Sequence, residues 1–299
     1  MYWFRDQVLS LDSARNFSRG NPISVMASLA QLVESSNTCT LVSQSLEKRR
    51  LYGQVSFQQN ERAAHLSFVL PEEDCNRPEM VKLIEELAVR AGEWGIYNLL
   101  GEIDESSPMF ETLRKAGFVV YARQKVIQLH FDEADQEIER QWIVSARVNE
   151  ISIKNLICSL MPPLVQSAEP FSKKRQGFIY FHKGELQAFV DCTFGPAGIY
   201  LQPFFHPAVK DCGELLKGLL SHLYPVLGRP VYLAVRFYQA WLESQLSEKS
   251  QVVSHQVLMV KYLAVSQRSL VYNPAFQGVE GVQAEPTTSI SKFNNQKGC

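Results

Sequence analysis

The chain contains 299 residues, of which 45% are hydrophobic and 20% are charged, and its formal net charge is -1. The apolar content is sufficient for packed cores, which excludes a disordered polyelectrolyte, and the length suits about two domains. A net charge near zero provides no overall field that would attract nucleic acid or an anionic membrane, so we expect neither as a partner. No stretch reaches the roughly 20 apolar residues that a membrane span requires.

The six cysteines form no Cys-x-x-Cys pair and show no spacing suited to zinc, so we expect no metal site. Residues 1–9 contain charged side chains and lack the apolar core of a signal peptide. The sequence therefore predicts reduced thiols and a cytoplasmic location. We expect Cys192 and Cys212 to be inert, and of the two Cys212 is the better candidate for activation, because it lies near Lys210 and a predicted helix N-terminus.

The first part of the chain contains alternating strand and helix patterns. After a predicted strand at 3–9 and a turn cluster at 16–22, Asn21 and Pro22 suit the cap and first turn of a helix over 23–34. Residues 78–94 have an apolar stripe opposite a charged face, which predicts a helix packed on a sheet by one side. Further strands are predicted at 40–45, 51–58, 63–70, 97–103 and 119–129, and a short helix at 108–115.

The second part repeats this order. Residues 142–147 form a predicted strand and 150–160 a predicted helix, which ends before two prolines. Gly184 can adopt a positive φ angle, which predicts a hairpin between neighbouring strands. The remaining predicted elements are strands 177–181, 186–192, 199–205, 231–237 and 252–265, helix 212–224 and short helix 240–247, before a polar stretch that we expect to end in a disordered tail.

The order of elements at residues 66–129 occurs again at 199–263, with Tyr97 and Tyr232 in equivalent strands. Solenoid repeats run about 20 to 50 residues, so a period this long indicates duplicated domains. We therefore expect two domains joined by a charged linker. The predicted boundaries are an N-terminal domain at 1–131, a linker at 132–140, a C-terminal domain at 141–265 and a tail at 266–299.

The segment from Phe110 to Phe118, Phe-Glu-Thr-Leu-Arg-Lys-Ala-Gly-Phe, follows the fifth strand of the first repeat. Together with the order of elements in both repeats, it resembles the short-helix signature of the GNAT N-acyltransferase superfamily. The resemblance implies an α/β fold of two tandem GNAT-like domains, each a mixed, mostly antiparallel sheet flanked by helices. It covers residues 1–129 and 141–265.

In that superfamily a glycine-rich loop after the fourth strand receives the pyrophosphate of acyl-coenzyme A on backbone N–H groups. In the second repeat Gly213 keeps the middle glycine, whereas residues 74–79 of the first repeat have lost both glycines and contain Pro78. The resemblance therefore implies acetyl-coenzyme A, or another acyl-coenzyme A, in the second repeat. The implied cofactor-binding residues are Lys210, Asp211, Cys212, Gly213, Glu214, Leu215 and Gln239.

Neither repeat has the tyrosine that serves as general acid in many members of the superfamily, since Leu113 and Leu246 stand at its place. Tyr238 is a candidate substitute and His206 a candidate base. Transfer would then be direct attack of an amine on the thioester. Both residues also have a structural interpretation, Tyr238 as a packed phenol and His206 as a strand-end residue.

Two functions stay open. The first is an acyl-coenzyme A-dependent N-acyltransferase, with a small-molecule or peptide amine as acceptor. The alternative is a non-catalytic GNAT-like binding or scaffold protein. An open V between strands 199–205 and 231–237, with free N–H groups at 212–214, favours the first, whereas side chains that fill this V favour the second. The sequence predicts neither the acceptor nor the oligomeric state.

Overall fold

The computed structural model describes residues 7–21, 36–44, 49–59, 61–130, 142–172 and 175–263. The predicted helix at 23–34, the charged linker and the C-terminal tail lie outside these residues, as does most of the predicted strand at 3–9. Within the described ranges, no helix has the length and apolarity to cross a membrane.

The first repeat begins with a short strand and helix that precede its main sheet. Its strands are β1 (Leu9–Ser10), β2 (Ser36–Gln44), β3 (Arg50–Gln58), β4 (Ala63–Leu70), β5 (Asn98–Asp104) and β6 (Val119–Leu129). Its helices are α1 (Ser13–Arg19), α2 (Pro78–Glu93) and α3 (Met109–Lys115), with a 3₁₀ turn at Glu72–Asp74.

The second repeat follows the same order from its third strand onward. Its strands are β7 (Ile143–Val144), β8 (Gly177–His182), β9 (Glu185–Phe194), β10 (Ile199–Phe205), β11 (Val231–Arg236) and β12 (Gln251–Tyr262). Its helices are α4 (Glu150–Leu160), α5 (Pro163–Ala168) and α6 (Cys212–Leu227), with 3₁₀ segments at Arg147–Asn149 and Phe237–Gln245.

The described strands form one twelve-stranded sheet, in the order β2-β3-β4-β5-β12-β6-β11-β10-β9-β8-β7, with β1 beside β4. Only the pairs β4–β5 and β10–β11 are parallel; the other pairs are antiparallel. The final strands of the repeats are exchanged: β12 lies between β5 and β6, and β6 pairs with β11. The predicted mixed, mostly antiparallel α/β class is confirmed, and the two repeats share one sheet.

Helices cover both faces of this sheet. Leu99 packs with α2 and α3, and its neighbour Leu100 packs with α4 and α5. Because successive side chains of a strand point to opposite faces, these helix pairs lie on opposite sides of the sheet. Helix α6 packs on strands of the second repeat through Leu219 and Leu233, both fully buried.

Three local predictions differ from the structure. The predicted turn at 16–22 is wrong, because Asp12 accepts a hydrogen bond from the Arg15 N–H at 3.1 Å and so caps helix α1. The predicted strand at 142–147 is limited to β7. Helix α5 was not predicted: Pro163 ends the preceding apolar pattern but also suits the first turn of a new helix.

The predicted hairpin is confirmed. Lys183 and Gly184, between β8 and β9, have φ angles of 51° and 83°. Two consecutive positive φ angles are typical of the type I′ turn, whose twist matches that of the flanking strands. The domain boundaries stay a prediction, since the exchanged strands connect the two repeats.

Candidate functional site

The site implied by the resemblance lies where β10 and β11 separate. The two strands pair only over Ile199–Leu201 and Val231–Leu233. Beyond these residues β10 continues to Phe205 and β11 to Arg236 without pairing to each other. We call the space between these two unpaired halves the C-terminal wedge. A thioester-carrying chain would have to enter here to contact the backbone of β10.

The C-terminal wedge is filled by Gln239, which is 1% exposed. Its Oε1 accepts a hydrogen bond from the Phe205 N–H at 2.9 Å, and its Nε2 donates to the Pro203 carbonyl at 2.8 Å. Residues two apart on a strand direct their backbone groups to the same side, so both partners belong to the wedge-facing edge of β10. Pro203 itself has no N–H. A side chain of the same molecule therefore occupies one donor and one acceptor of this edge.

The first turn of α6 is also covered. Asp211, the N-cap, has a φ angle of 56° and makes no side-chain hydrogen bond to the helix. A Cβ at Gly213 would lie 2.3 Å from the Gln245 carbonyl oxygen, which belongs to the 3₁₀ segment Phe237–Gln245. A phosphate that approached Gly213 would meet this oxygen, and two oxygen acceptors repel each other. The loop keeps its glycine. The Gln245 backbone closes the side where a Cβ would lie, and a cavity of about 210 Å³ lined by Gly213, Glu214 and Gln245 lies beside it.

The other implied cofactor residues have local partners or face solvent. Lys210 is exposed, and Glu214 forms an ion pair with Lys217 at 2.8 Å. The Leu215 carbonyl accepts a hydrogen bond from the indole of Trp142 at 2.8 Å.

Cys212 is not an activated thiol. Burial, with a smaller contribution from Asp211, raises its pKa to about 11. Its Sγ lies 3.6 Å from the Val209 carbonyl oxygen. A raised pKa keeps the sulfur protonated near neutral pH, as expected of an inert thiol.

The two candidate catalytic residues have different surroundings. His206 follows β10, is exposed, and its Nδ1 accepts a hydrogen bond from the Ala208 N–H at 3.2 Å. Tyr238 is half-buried, and its hydroxyl oxygen has no hydrogen-bond partner among the described residues. Burial raises the pKa of Tyr238 to about 12, although the nearby charge of Arg236 lowers it. The roles of His206 as base and Tyr238 as acid stay predictions.

The N-terminal wedge, the equivalent space between β4 and β5, is filled by the start of the chain. These strands pair only over Ala63–His65 and Asn98–Leu100, and β1 lies along β4 beyond that point. The Leu11 N–H donates to the Ser67 carbonyl of β4 at 3.0 Å, and the Leu11 carbonyl accepts from the Glu102 N–H of β5 at 2.9 Å. Leu11 therefore bridges both strands, and its side chain is fully buried.

The N-terminus of α2 carries an acid where the superfamily binds a phosphate. Asp74 is 2% exposed, and its Oδ1 lies 2.5 Å from Arg77 Nε and 3.5 Å from Arg49 Nη1. Pro78 occupies the first turn of the helix and removes one N–H donor. A buried carboxylate and a missing donor both oppose an anion, which agrees with the expectation that this copy is ill-suited to coenzyme A.

The sequence analysis missed a buried ionic cluster formed by Arg236, Glu169 and Tyr121. The Arg236 guanidinium lies 3.0 Å from Glu169 Oε1, and the Tyr121 hydroxyl donates to the same oxygen. Burial opposes ionisation of Glu169, but Arg236 and Tyr121 outweigh it and lower the pKa of this carboxyl. Arg236 ends a strand that is otherwise apolar. A charged residue at the end of such a strand is the sequence signal that could have indicated this cluster.

A second polar group joins the repeats beside this cluster. Gln124 on β6 donates to Gln256 on β12 at 2.7 Å, and the Ser13 hydroxyl of α1 donates to the same Gln256 oxygen at 2.8 Å. The Ser13 N–H donates to Glu102 Oε2 at 3.2 Å. Burial raises the pKa of Glu102. These bonds attach the N-terminal helix to the central strands of both repeats.

No family model and no curated protein matches the chain. Solved structures do match. GNAT proteins are among them. A tandem GNAT protein from the clavulanic acid biosynthesis pathway is 14% identical, with 78% of this chain and 85% of that chain covered and a TM-score of 0.45. A GCN5-related N-acetyltransferase from Kribbella flavida is 12% identical, covers 80% and 96%, and has a TM-score of 0.47.

A GNAT acetyltransferase from Colwellia psychrerythraea is 12% identical, with 85% of this chain and 99% of that chain covered and a TM-score of 0.40. These proteins belong to the superfamily that the sequence resembles. We transfer neither an activity nor a residue role from them. The function of this chain is inferred from the residues that line its two wedges.

Proposed function

We propose that this chain is a non-catalytic GNAT-like binding or scaffold protein, in which the chain's own residues close both cofactor clefts. The observation that carries this proposal is the pair of hydrogen bonds from Gln239 to β10. A cofactor chain in the C-terminal wedge would need the donor and acceptor that Gln239 already uses. Displacing this buried amide would leave its own polar atoms to be satisfied elsewhere.

The other wedge supports the same conclusion independently. The segment around Leu11 takes the backbone positions between β4 and β5 that a ligand would use in the N-terminal wedge. Asp74 and Pro78 remove the anion-binding character of the following helix. Acyl-coenzyme A therefore does not fit either cleft as the residues stand, and we assign no step of acyl transfer to this chain.

One observation favours the acyltransferase as a second candidate. Asp211 makes no side-chain hydrogen bond to α6, so the first turn of this helix is not capped by its own N-cap side chain. If the Phe237–Gln245 segment moved away, the N–H groups near Gly213 could receive a phosphate. This candidate keeps acetyl-coenzyme A as cofactor and an amine as acceptor.

The experiment that separates these candidates is calorimetric titration of the full chain with acetyl-coenzyme A and with coenzyme A. The proposal expects no heat and no shift in melting temperature up to millimolar ligand. Micromolar binding that Gly213→Glu and Lys210→Glu both abolish would overturn it and place the cofactor in the C-terminal wedge. Lys210→Glu is needed because Lys210 is exposed, whereas a side chain at Gly213 would itself clash with Gln245.

A cytoplasmic location belongs to the same proposal. The described cysteines, Cys39, Cys75, Cys158, Cys192 and Cys212, are free thiols. Free thiols are typical of a reducing compartment. The proposed partner is a protein or small molecule bound on the surface, and neither nucleic acid nor a membrane is part of the proposal.

A further inference from the structure

A cavity of about 500 Å³ lies between α4, α5 and the segment that follows α5, away from both wedges. Its wall is apolar along Ile151, Ile157, Met161 and Phe171, and Glu169 and Arg175 supply polar groups. Of its eleven lining residues six are apolar and five are polar. Pockets of this volume bind small molecules through an apolar body and a few polar contacts. No cofactor loop or candidate catalytic residue of the sequence analysis lines it.

Within the described ranges, Arg175 has one guanidinium nitrogen without a partner, whereas the carboxylate near it is already engaged. Both oxygens of Glu169 already lie near donors: Oε1 near Tyr121 and Arg236, and Oε2 near a second nitrogen of Arg236 at 3.4 Å. Arg175 Nη1 is bound to Asp191 at 2.9 Å. Its Nε, in contrast, is buried and has no hydrogen-bond partner among the described residues.

Two further groups near Arg175, outside the cavity lining, are also unpartnered. The Tyr238 hydroxyl and Arg236 Nε are buried without a hydrogen-bond partner in the described part of the chain. Tyr238 lies close enough to Arg236, Glu169 and Arg175 for all three charges to act on its pKa. Of these unpartnered groups only Arg175 lines the cavity, so a ligand that supplies an acceptor atom there would give its guanidinium a partner, and a ligand that supplies a donor would not.

We propose that this cavity binds a small monocarboxylate with an apolar body, with the carboxylate on Arg175 and the body along Ile157, Met161 and Phe171. An ionised acceptor makes stronger hydrogen bonds to a guanidinium than a neutral one does. Glu150 and Lys154 also line the cavity and carry opposite charges one helical turn apart on α4, so they add no net charge. The proposal concerns a site distinct from the wedges and holds whether or not they bind a cofactor.

Octanoate is a suitable probe, with octanamide and octylamine as matched neutral and cationic controls. Calorimetric titration of the full chain should give binding in the order octanoate, octanamide, octylamine. Replacing the ion pair by the neutral pair Arg175→Gln with Asp191→Asn keeps the shape of the wall. This double variant should weaken the binding of octanoate at least about tenfold and leave the binding of octanamide nearly unchanged.

A second pair of variants tests the position of the ligand. Ile151 lines the cavity and is 74% exposed, so Ile151→Trp can block the space without disturbing the core. Val148 is 85% exposed and does not line the cavity, so Val148→Trp is the matched control. Octanoate binding should be lost in the first variant and kept in the second. Equal binding in both variants would overturn the assignment.

Cys158 gives a readout that does not depend on heat. It lines the cavity and is partly exposed, whereas Cys39 is partly exposed on β2, outside the cavity. Octanoate should slow alkylation of Cys158 by iodoacetamide and leave Cys39 unaffected, as measured by peptide mass spectrometry. Absence of both binding and protection up to millimolar octanoate, or equal binding of octylamine, would overturn the proposal.

Discussion

A single amide side chain decides how the C-terminal wedge is interpreted. Gln239 satisfies one donor and one acceptor on β10 at the place where the GNAT resemblance implies a cofactor. The same residue was predicted to contact the cofactor, and that role stays a prediction. Its chemistry allows both, because an amide can bind a strand edge as well as a ligand.

We expect Gln239→Leu to lower the free energy of unfolding by about 2 kcal/mol, because the buried Phe205 N–H and Pro203 carbonyl lose their partners. Urea unfolding followed by circular dichroism measures this change. Ser244→Ala, on the exposed side of the same 3₁₀ segment, should change it by less than about 0.5 kcal/mol. Equal stability of Gln239→Leu and wild type would show that the amide does not hold the wedge closed.

The buried ion pair between Glu169 and Arg236 predicts a pH dependence. The pKa of Glu169 is lowered in the folded state, so its stabilising contribution is present above the unfolded pKa and is lost as the pH falls through the folded pKa. Glu169→Gln should therefore cost about 3–5 kcal/mol at neutral pH, since Arg236 is left buried and unpaired.

The difference between wild type and Glu169→Gln should shrink as the pH falls below 4.5, the ordinary pKa of a glutamate carboxyl, because protonated Glu169 is similar to glutamine. Urea unfolding of both proteins at neutral and acidic pH measures it. A difference that does not change with pH would contradict a stabilising role of the charged form. Glu105→Gln, in an exposed pair with Arg123, serves as control and should have little effect at either pH.

At the scale of elements, the segment from β1 to α1 is a structural part of the sheet although it is short. Leu11 contacts the core of the first repeat, and Ser13 forms hydrogen bonds with Glu102 on β5 and Gln256 on β12. Sequence patterns could not predict this role, because two strand residues provide no periodicity. Asp12 is also as compatible with a turn as with a helix N-cap. The long elements were predictable: helix 150–160 and strands 63–70, 119–129 and 199–205 have the expected bounds.

Leu11→Ala should lower the free energy of unfolding by about 2–5 kcal/mol, since a fully buried leucine leaves a cavity between β4 and β5. Leu164→Ala is the matched control, because Leu164 is exposed on α5 and its truncation should be nearly neutral. Thermal and urea unfolding of both variants test this. A neutral effect at Leu11 would mean that the N-terminal segment does not pack in the wedge.

For the whole molecule, the exchange of β6 and β12 is the feature that the sequence could not reveal. Both strands are long, apolar and preceded by a short helical segment, so each pattern fits either repeat equally well. The repeat predicted two similar units, and it could not predict which last strand completes which unit. The ionic cluster depends on the same arrangement, because Tyr121 belongs to the first repeat and Glu169 and Arg236 to the second, and they meet only after folding.

Exchange makes the two repeats mutually dependent. A fragment of residues 1–131 would lack β12, which separates β5 from β6, and a fragment of residues 141–265 would lack β6, the partner of β11. Each fragment would expose the backbone edge of a central strand, which is a template for association.

We expect neither fragment alone to unfold cooperatively as a monomer, whereas the two expressed together should co-purify as one complex, because each supplies the strand that the other lacks. Size-exclusion chromatography and urea unfolding of the fragments, alone and mixed, measure this. A monomeric 1–131 fragment with a cooperative transition would show that the first repeat completes its own sheet and that the predicted domain boundary separates independent units.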